Sequence, residues 1–370
     1  MSPADVRTDA FRYRLPLARP LVMPSGTYTE REGVLLRLTA ADGVAGWGEA
    51  SPLPGYSPDT LDDAAAWLSA WAAGRPTAVA ISSLDDLPAA RRLAATLPTH
   101  SPAALWATVQ AGADIEAQRT GKSLAQVYAS RGSRRPPTET VSLNALLLGR
   151  WDAVLDAAHR AVADGYRAAK LKVGGLAPDD AAALAREVAG VLGDVSLRLD
   201  ANGAWTLDQA VAFADALNGV AVEYVEEPLA NVEDLPALAE RTSVRWALDE
   251  SLDRAAQEPE IAAALGAAVV KPTLGPERVW SASFEFGDHP MRRRAGPIVI
   301  SSTFESGVGM RHLVALAAAV GTAPAGLDTY RWLAEDVLDR PLPIAGPTVD
   351  VAAVLAPNPV RVDRLELLAL

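Results

Sequence analysis

Short apolar runs, several closing on a charged residue, alternate through the middle of this chain with Ala/Leu-rich stretches. The runs Val141–Leu147, Ala168–Val173, Ser196–Asp200, Ala221–Glu226, Trp246–Asp249, Ala268–Lys271, Pro297–Ser301 and Ala325–Asp328 predict strands. The stretches Asp152–Asp164, Pro178–Leu192, Thr206–Leu217 and Asn231–Arg241 predict helices. Their starts carry the expected signals: Asp152 before an Ala/Leu run, Pro178 followed by Asp179, and Thr206 with Gln209 three residues on, as in a capping box. Eight strands alternating with helices predict a parallel β/α barrel. No Gly-rich phosphate fingerprint follows the first strand, which argues against a doubly wound dinucleotide fold.

The two ends follow another pattern. Phe11–Leu17, Gly33–Thr39 and Val44–Gly48 predict an antiparallel meander, with Asp42-Gly43 as a hairpin turn. Helices are expected near Leu61–Ala73 and Pro102–Arg119. Beyond Asp336 the chain is rich in proline and glycine and ends in a strand-like Val360–Leu368. The expected organisation is an α/β chain of three parts: a capping α+β domain over 1–130, a barrel over 131–335, and a segment over 336–370 that returns to the cap. A polar, proline-containing stretch from Arg131 to Pro137 joins the first two.

Composition narrows the function. The chain has 370 residues, 49% of them apolar and 22% charged, and a net charge of −12. An acidic chain is a poor partner for nucleic acid or an anionic membrane. The clusters Arg134-Arg135 and Arg292-Arg293-Arg294 are short enough to be solvated loop faces. With no cysteine, disulfides, thiolate metal sites and cysteine nucleophiles are excluded. No apolar run is long enough to span a bilayer, and Asp5, Arg7 and Asp9 rule out a signal-peptide core, so a cytoplasmic protein is expected.

Only four of the 34 basic residues are lysine, and three of these, Lys170, Lys172 and Lys271, fall within a spaced series of carboxylates. Arginine stays protonated, whereas a lysine amine can exchange protons near neutrality. The last residues of successive predicted strands are Lys170 and Lys172, Asp200, Glu226, Asp249 and Lys271. Their intervals from Lys172 onward are 28, 26, 23 and 22 residues, each the length of one strand–helix unit. Such spacing delivers all of them to the C-terminal rim of a barrel, where barrel enzymes do chemistry. Three carboxylates without histidine or cysteine make an oxygen-only site suited to Mg²⁺, or Mn²⁺. A divalent ion chelating a substrate carboxylate neutralises the charge that develops when the α-proton leaves. Lys170 and Lys172, close together and near that cation, should each resist charging and so become available as bases.

The motifs Lys170-Leu-Lys172, Asp200-Ala-Asn202, Glu226-Glu227-Pro228, Asp249-Glu250-Ser251 and Val270-Lys271-Pro272 resemble the signature series of the enolase superfamily, muconate-lactonizing subgroup. The resemblance covers nearly the whole chain and implies a modified (β/α)7β TIM-like barrel under an α+β cap. It implies Asp200, Glu226 and Asp249 as metal ligands, Asn202 and Glu250 as groups orienting them, and Lys172 and Lys271 as opposed catalytic groups beside Lys170. Within the subgroup, Ser196–Asp200, Val269–Pro276 and Ser301–Gly309 are most similar to the o-succinylbenzoate synthase family of the actinobacterial type. That likeness implies a Mg²⁺-dependent hydro-lyase of menaquinone biosynthesis, with a small-molecule carboxylate as substrate; the sequence leaves the oligomeric state open, a monomer being one option. Lys172 would act as base and then acid in a syn-dehydration, with Lys271 stabilising the enediolate.

An N-acylamino acid racemase, a dipeptide epimerase or a cycloisomerase of the same superfamily is the alternative, since two opposed lysines also suit those reactions. A mandelate-racemase-type base is not expected, because no histidine lies near Pro297–Thr303. A Schiff-base aldolase would leave the carboxylates without a role, and a non-catalytic barrel the lysines.

Further substrate contacts are expected at Ser302, Gly307 and Gly309, whose segment could hold an anion at a helix N-terminus. Arg198, on the inward face two residues before Asp200, could contact substrate or form a buried structural ion pair. Ser25 lies in a segment, Arg19–Tyr28, expected to close over the site. Trp47 and Trp205 read as packing residues.

Overall fold

The computed structural model describes residues 6–23, 25–73, 100–132, 135–217, 219–276, 278–279 and 296–369. Arg134 and Arg292-Arg293-Arg294 lie outside these. Strands β1 (Arg7–Met23), β2 (Gly26–Thr39) and β3 (Ala45–Ala50) form the antiparallel meander. β1 and β2 run longer than their apolar pattern predicts. Proline cannot donate to a ladder, and the register shifts between Pro16 and Leu21, where an irregularity takes up Pro20. The Asp42-Gly43 turn forms as expected, with Gly43 at φ +84°.

Helix Pro102–Thr120 is capped by Ser101, whose hydroxyl accepts the Ala104 N–H, and ends at Gly121 in the left-handed region. Ala103, Ala104, Ala107 and Ala111 pack into the core of the cap, while Trp106, Val109, Ala113 and Ala117 join the main core of the barrel. The helix is therefore wedged between the two domains. Gly48 of β3 is required at that contact, since a Cβ there would stand 1.9 Å from the Ala107 carbonyl oxygen.

The predicted run Val141–Leu147 splits into β4 (Thr140–Ser142) and β5 (Ala145–Leu147). From β5, the strands β6 (Ala168–Lys172), β7 (Ser196–Asp200), β8 (Tyr224–Glu226), β9 (Trp246–Leu248), β10 (Ala267–Val270) and β11 (Ile298–Ile300) follow in sequence order as one seven-stranded parallel sheet. The eighth run is not a regular strand. Ala325 bridges Leu143, Gly326 bridges Ser301, and the chain then turns into a 3₁₀ helix at Asp328–Trp332. These bridges close the ring. β12 (Thr348–Asp350) pairs with β4, and β13 (Glu366–Leu368) pairs with β1, so the C-terminal segment does return to the cap sheet.

Helices Trp151–Ala163, Pro178–Leu192, Leu207–Ala216 and Leu235–Arg241 lie between the barrel strands. The Thr206/Gln209 capping box is formed. Strand alternation sorts the barrel residues. Leu171, Leu197, Leu199, Val225, Leu248, Val270 and Ile300 join the main core, while Tyr224, Ala247, Ala267, Val269 and Val299 form a separate cluster. That second set occupies inward positions below the C-terminal rim of the strands. Among the described residues, no helix is long and apolar enough to cross a membrane.

Candidate active site

The register of the parallel ladder puts Lys172 opposite Asp200, and Asp200 opposite Glu226. Asp249 follows β9 and Lys271 follows β10, so the six charged residues meet at one rim. Lys170 Nζ lies 2.6 Å from Glu226 Oε1 and 2.9 Å from Asp200 Oδ2. Lys172 Nζ lies 3.1 Å from Asp200 Oδ2 and donates to Asn202 Oδ1 at 2.7 Å. Lys271 Nζ contacts Asp249 Oδ2. Lys172 ends β6 and Lys271 follows β10, so three strands separate them in the sheet order around the mouth.

Among the described residues no three carboxylates converge on a single coordination point. The positive charge standing among them is that of Lys170 and Lys271. Even so, Glu226 Oε2 and Asp249 Oδ1 are buried without a hydrogen-bond partner. Orphaned buried carboxylate oxygens are costly unless a cation meets them, and all the donors here are hard oxygens. The set fits a divalent ion of the Mg²⁺ type.

Burial raises Glu226 well above the usual carboxylate range; Lys170 opposes this, and Asp200 and Asp249 add to it. Burial acts the same way on Asp200, but Lys170 and Lys172 outweigh it and hold that carboxyl well below its ordinary value. Burial disfavours the Lys170 ammonium, yet Asp200 and Glu226 outweigh burial and raise it well above the usual lysine value. Lys271 is raised too, since Asp249 overcomes its burial.

Several expected contacts fall elsewhere. Arg198 is fully buried one layer below the rim; its guanidinium bonds Glu223, Asn144 and the Pro324 carbonyl and lies 5.3 Å from the Tyr224 ring centroid. It braces the barrel interior and does not face the mouth. Helix Gly307–Val320 does hold anions at its N-terminus, but they are the protein's own. Gly307 N–H donates to Asp336 Oδ1 and Gly309 N–H to Glu49 Oε2, each at 2.8 Å. Ser302 is buried against Thr329, its hydroxyl held there. Ser25 Oγ donates to the Pro54 carbonyl at 3.1 Å, joining the Arg19–Tyr28 segment to the turn that precedes Tyr56.

Two residues of the site escaped sequence reading. Tyr56 reaches in from the cap, where its hydroxyl accepts from Lys271 Nζ at 2.6 Å and lies 2.9 Å from Asp249 Oδ2 and 3.1 Å from Glu250 Oε2. Its one sequence signal is an aromatic with a polar tip in the Pro/Gly turn Pro52–Pro58. Glu227 accepts the backbone N–H groups of Asp249 at 2.6 Å and Ser251 at 2.9 Å, and so orients Asp249 more directly than Glu250 does. Asn202 bonds Lys172 through its side chain and Asp200 through its backbone N–H. Among the described residues, the non-glycine positions with positive φ are Asn202 (48°), Glu227 (42°) and Phe304 (66°). All three lie just beyond barrel strands, where stored backbone strain marks functional positions.

The family model described as "Enolase C-terminal domain-like" matches residues 153–355, and "MenC, N-terminal domain" matches residues 6–90. The o-succinylbenzoate synthase of Thermobifida fusca (strain YX) is 32% identical over 86% of this chain and 81% of its own length. That of Yersinia pseudotuberculosis (serotype O:1b, strain IP 31758) is 29% identical over 90% and 94%. The N-succinyl Arg/Lys racemase of Bacillus cereus ATCC 14579 superposes with a TM-score of 0.80 at 16% identity, covering 99% of this chain and 100% of its own. The L-Ala-D/L-Glu epimerase of Bacillus subtilis superposes at 0.78 and 22% identity, covering 94% and 96%.

Proposed function

The chain belongs to the enolase superfamily, within its o-succinylbenzoate synthase family, and from that membership we propose that it dehydrates 2-succinyl-6-hydroxy-2,4-cyclohexadiene-1-carboxylate to o-succinylbenzoate, a step of menaquinone biosynthesis. Asp200, Glu226 and Asp249 would hold Mg²⁺, with Mn²⁺ as a substitute; bound there, it supplies Lewis-acid neutralisation of the carboxylate charge that grows as the α-proton leaves.

Lys172, as the neutral amine, takes the α-proton of the ring carboxylate. The resulting ammonium then gives a proton to the departing 6-hydroxyl on the same face, so one lysine serves both half-steps and water is the only product lost. Lys271, held charged by Asp249 and hydrogen-bonded to Tyr56, offers a fixed cation to the enediolate from the other side. Asn202 orients the Lys172 amine, and Glu227 fixes the backbone that carries Asp249.

The observation that carries this reading is the unequal access of the two amines. The Lys172 side chain is 44% exposed and that of Lys271 only 11%. A one-base dehydration needs one accessible amine. The superfamily's racemases and epimerases use two opposed bases, which keeps that activity as the alternative.

The test is direct. Purified protein with Mg²⁺ is given the hydroxycyclohexadiene carboxylate and, separately, N-succinylamino acids in D₂O. Aromatic product without appreciable α-deuteration of the amino acids is the expected result. Fast deuterium exchange with no dehydration would move the assignment to a racemase.

A further inference from the structure

Around the Lys271 amine, a ring of buried contacts runs through both domains. From the amine it passes to the Tyr56 hydroxyl and along the turn that begins at Ser51. Arg31, on β2 and 3% exposed, joins that turn to the barrel. Its Nη2 donates to the Ser51 carbonyl and, at 3.1 Å, to that of Thr303. Nη1 donates to the Pro52 and Glu32 carbonyls at 2.9 Å each, and Nε to that of Phe304 at 3.2 Å. From Thr303 the ring continues to Glu305, whose carboxylate accepts the Thr303 N–H and hydroxyl and the Thr273 hydroxyl, each at 2.7 Å. Thr273 is two residues from Lys271, which closes the circuit.

A guanidinium carries five N–H donors in a rigid fork. All five here meet backbone carbonyls, drawn from β2, from the cap turn and from the barrel turn at the strained Phe304. We propose that Arg31 is a positioning residue for the Lys271 half of the site: it sets the cap turn against the barrel turn and thereby holds the Tyr56 hydroxyl on the Lys271 amine. A lysine at this position keeps the charge but has three donors at one point, and cannot span the same carbonyls. The inference rests on the role proposed for Lys271, not on the identity of the substrate.

The test combines a spectroscopic and a kinetic reading. The protein, with its seven tyrosines, is labelled with 3-fluorotyrosine, and the Tyr56 ¹⁹F resonance is assigned by its loss in Tyr56→Phe. In Arg31→Lys that resonance should shift or broaden while the other six stay in place. With Mg²⁺ and substrate, Arg31→Lys should lower kcat by about ten- to a hundredfold, the range expected for a misplaced catalytic contact, with KM changed by less than about threefold. Tyr56→Phe should lower kcat by about tenfold, and the double variant should be no worse than Arg31→Lys alone, because both act through one contact.

An unmoved Tyr56 resonance, or losses that multiply in the double variant, would overturn the proposal. If Arg31→Lys does not fold, Arg31→Gln takes its place. If neither folds, Arg31 serves stability alone and the positioning role is rejected. A wild type inactive on the cyclohexadiene would refute the proposed function, while the ¹⁹F reading would still judge Arg31.

Discussion

The two sides of the barrel mouth are built from the same kind of part and treated differently. Lys172 ends a regular strand and, among the described residues, bonds Asp200 and Asn202, with almost half its side chain open. Lys271 lies beyond its strand, at the start of a 3₁₀ turn, enclosed by Asp249 and by Tyr56 from the other domain. A proton carrier must change charge and reach substrate, which suits the open side. An electrostatic stabiliser works best when its charge and position are fixed in advance, which suits the enclosed side. On the proposed reading the two lysines have separate tasks, the division that the family resemblance implies.

The sharpest way to break this comparison is to delete each amine in turn. Lys172→Ala should lower kcat by at least about 10³-fold, since it removes base and acid together, while Mg²⁺ binding by calorimetry stays close to wild type. Near-normal dehydration by that variant would place the proton transfer elsewhere. Lys271→Ala should cost less, about 10²- to 10³-fold, the usual loss for one preorganised charge contact. Equal losses from both substitutions, together with deuterium exchange into N-succinylamino acids, would indicate two interchangeable bases.

Glu227→Ala sharpens the enclosed side more finely. It frees the backbone of Asp249 and Ser251 without touching Lys172, and should weaken Mg²⁺ affinity by about ten- to a hundredfold. A titration indistinguishable from wild type would mean that Asp249 needs no such support.

Much of this was legible in the chain, for reasons that also explain what was not. Strand alternation and the length of a strand–helix unit are local properties, so the phased series Lys172, Asp200, Glu226, Asp249 and Lys271 located the rim without a structure. The capping box at Thr206 and the turn at Gly43 are equally local. Tyr56 was invisible because its contact with Lys271 spans 215 residues, and nothing in Gly55-Tyr56-Ser57 records that distance. The anion site at Gly307 and Gly309 was legible as a helix N-terminus, but its occupants, Glu49 and Asp336, come from other parts of the chain. Arg198 illustrates the limit of the alternation rule. That rule gave the correct face of the strand, but the depth along the barrel axis decides whether an inward residue meets substrate or Tyr224.

The smallest expected effect bears on stability at the seam of the enclosed side. His312, in helix Gly307–Val320, shares a 2.8 Å hydrogen bond between Nδ1 and the Tyr128 hydroxyl, and Nε2 lies 3.3 Å from the carbonyl of Trp47 in β3. Both contacts suit the neutral ring carrying its proton on Nε2. Burial, reinforced by Arg311, lowers its pKa to about 3, while the Trp47 carbonyl pulls weakly the other way. The folded value lies below the unfolded one of about 6.5, so acid favours the unfolded chain. The contribution is intact above pH 6.5 and is lost progressively as pH falls from there toward 3. By pH 5 the loss amounts to about 2 kcal/mol. Burial raises other carboxyls as well, Asp59, Asp114 and Glu305 among them, so the useful quantity is the difference in urea stability between wild type and His312→Gln. That difference should shift by about 2 kcal/mol in favour of the variant between pH 7 and pH 5. A constant difference would show that the imidazole charges in the folded protein without penalty, and that the cap is not held to this helix by a neutral histidine.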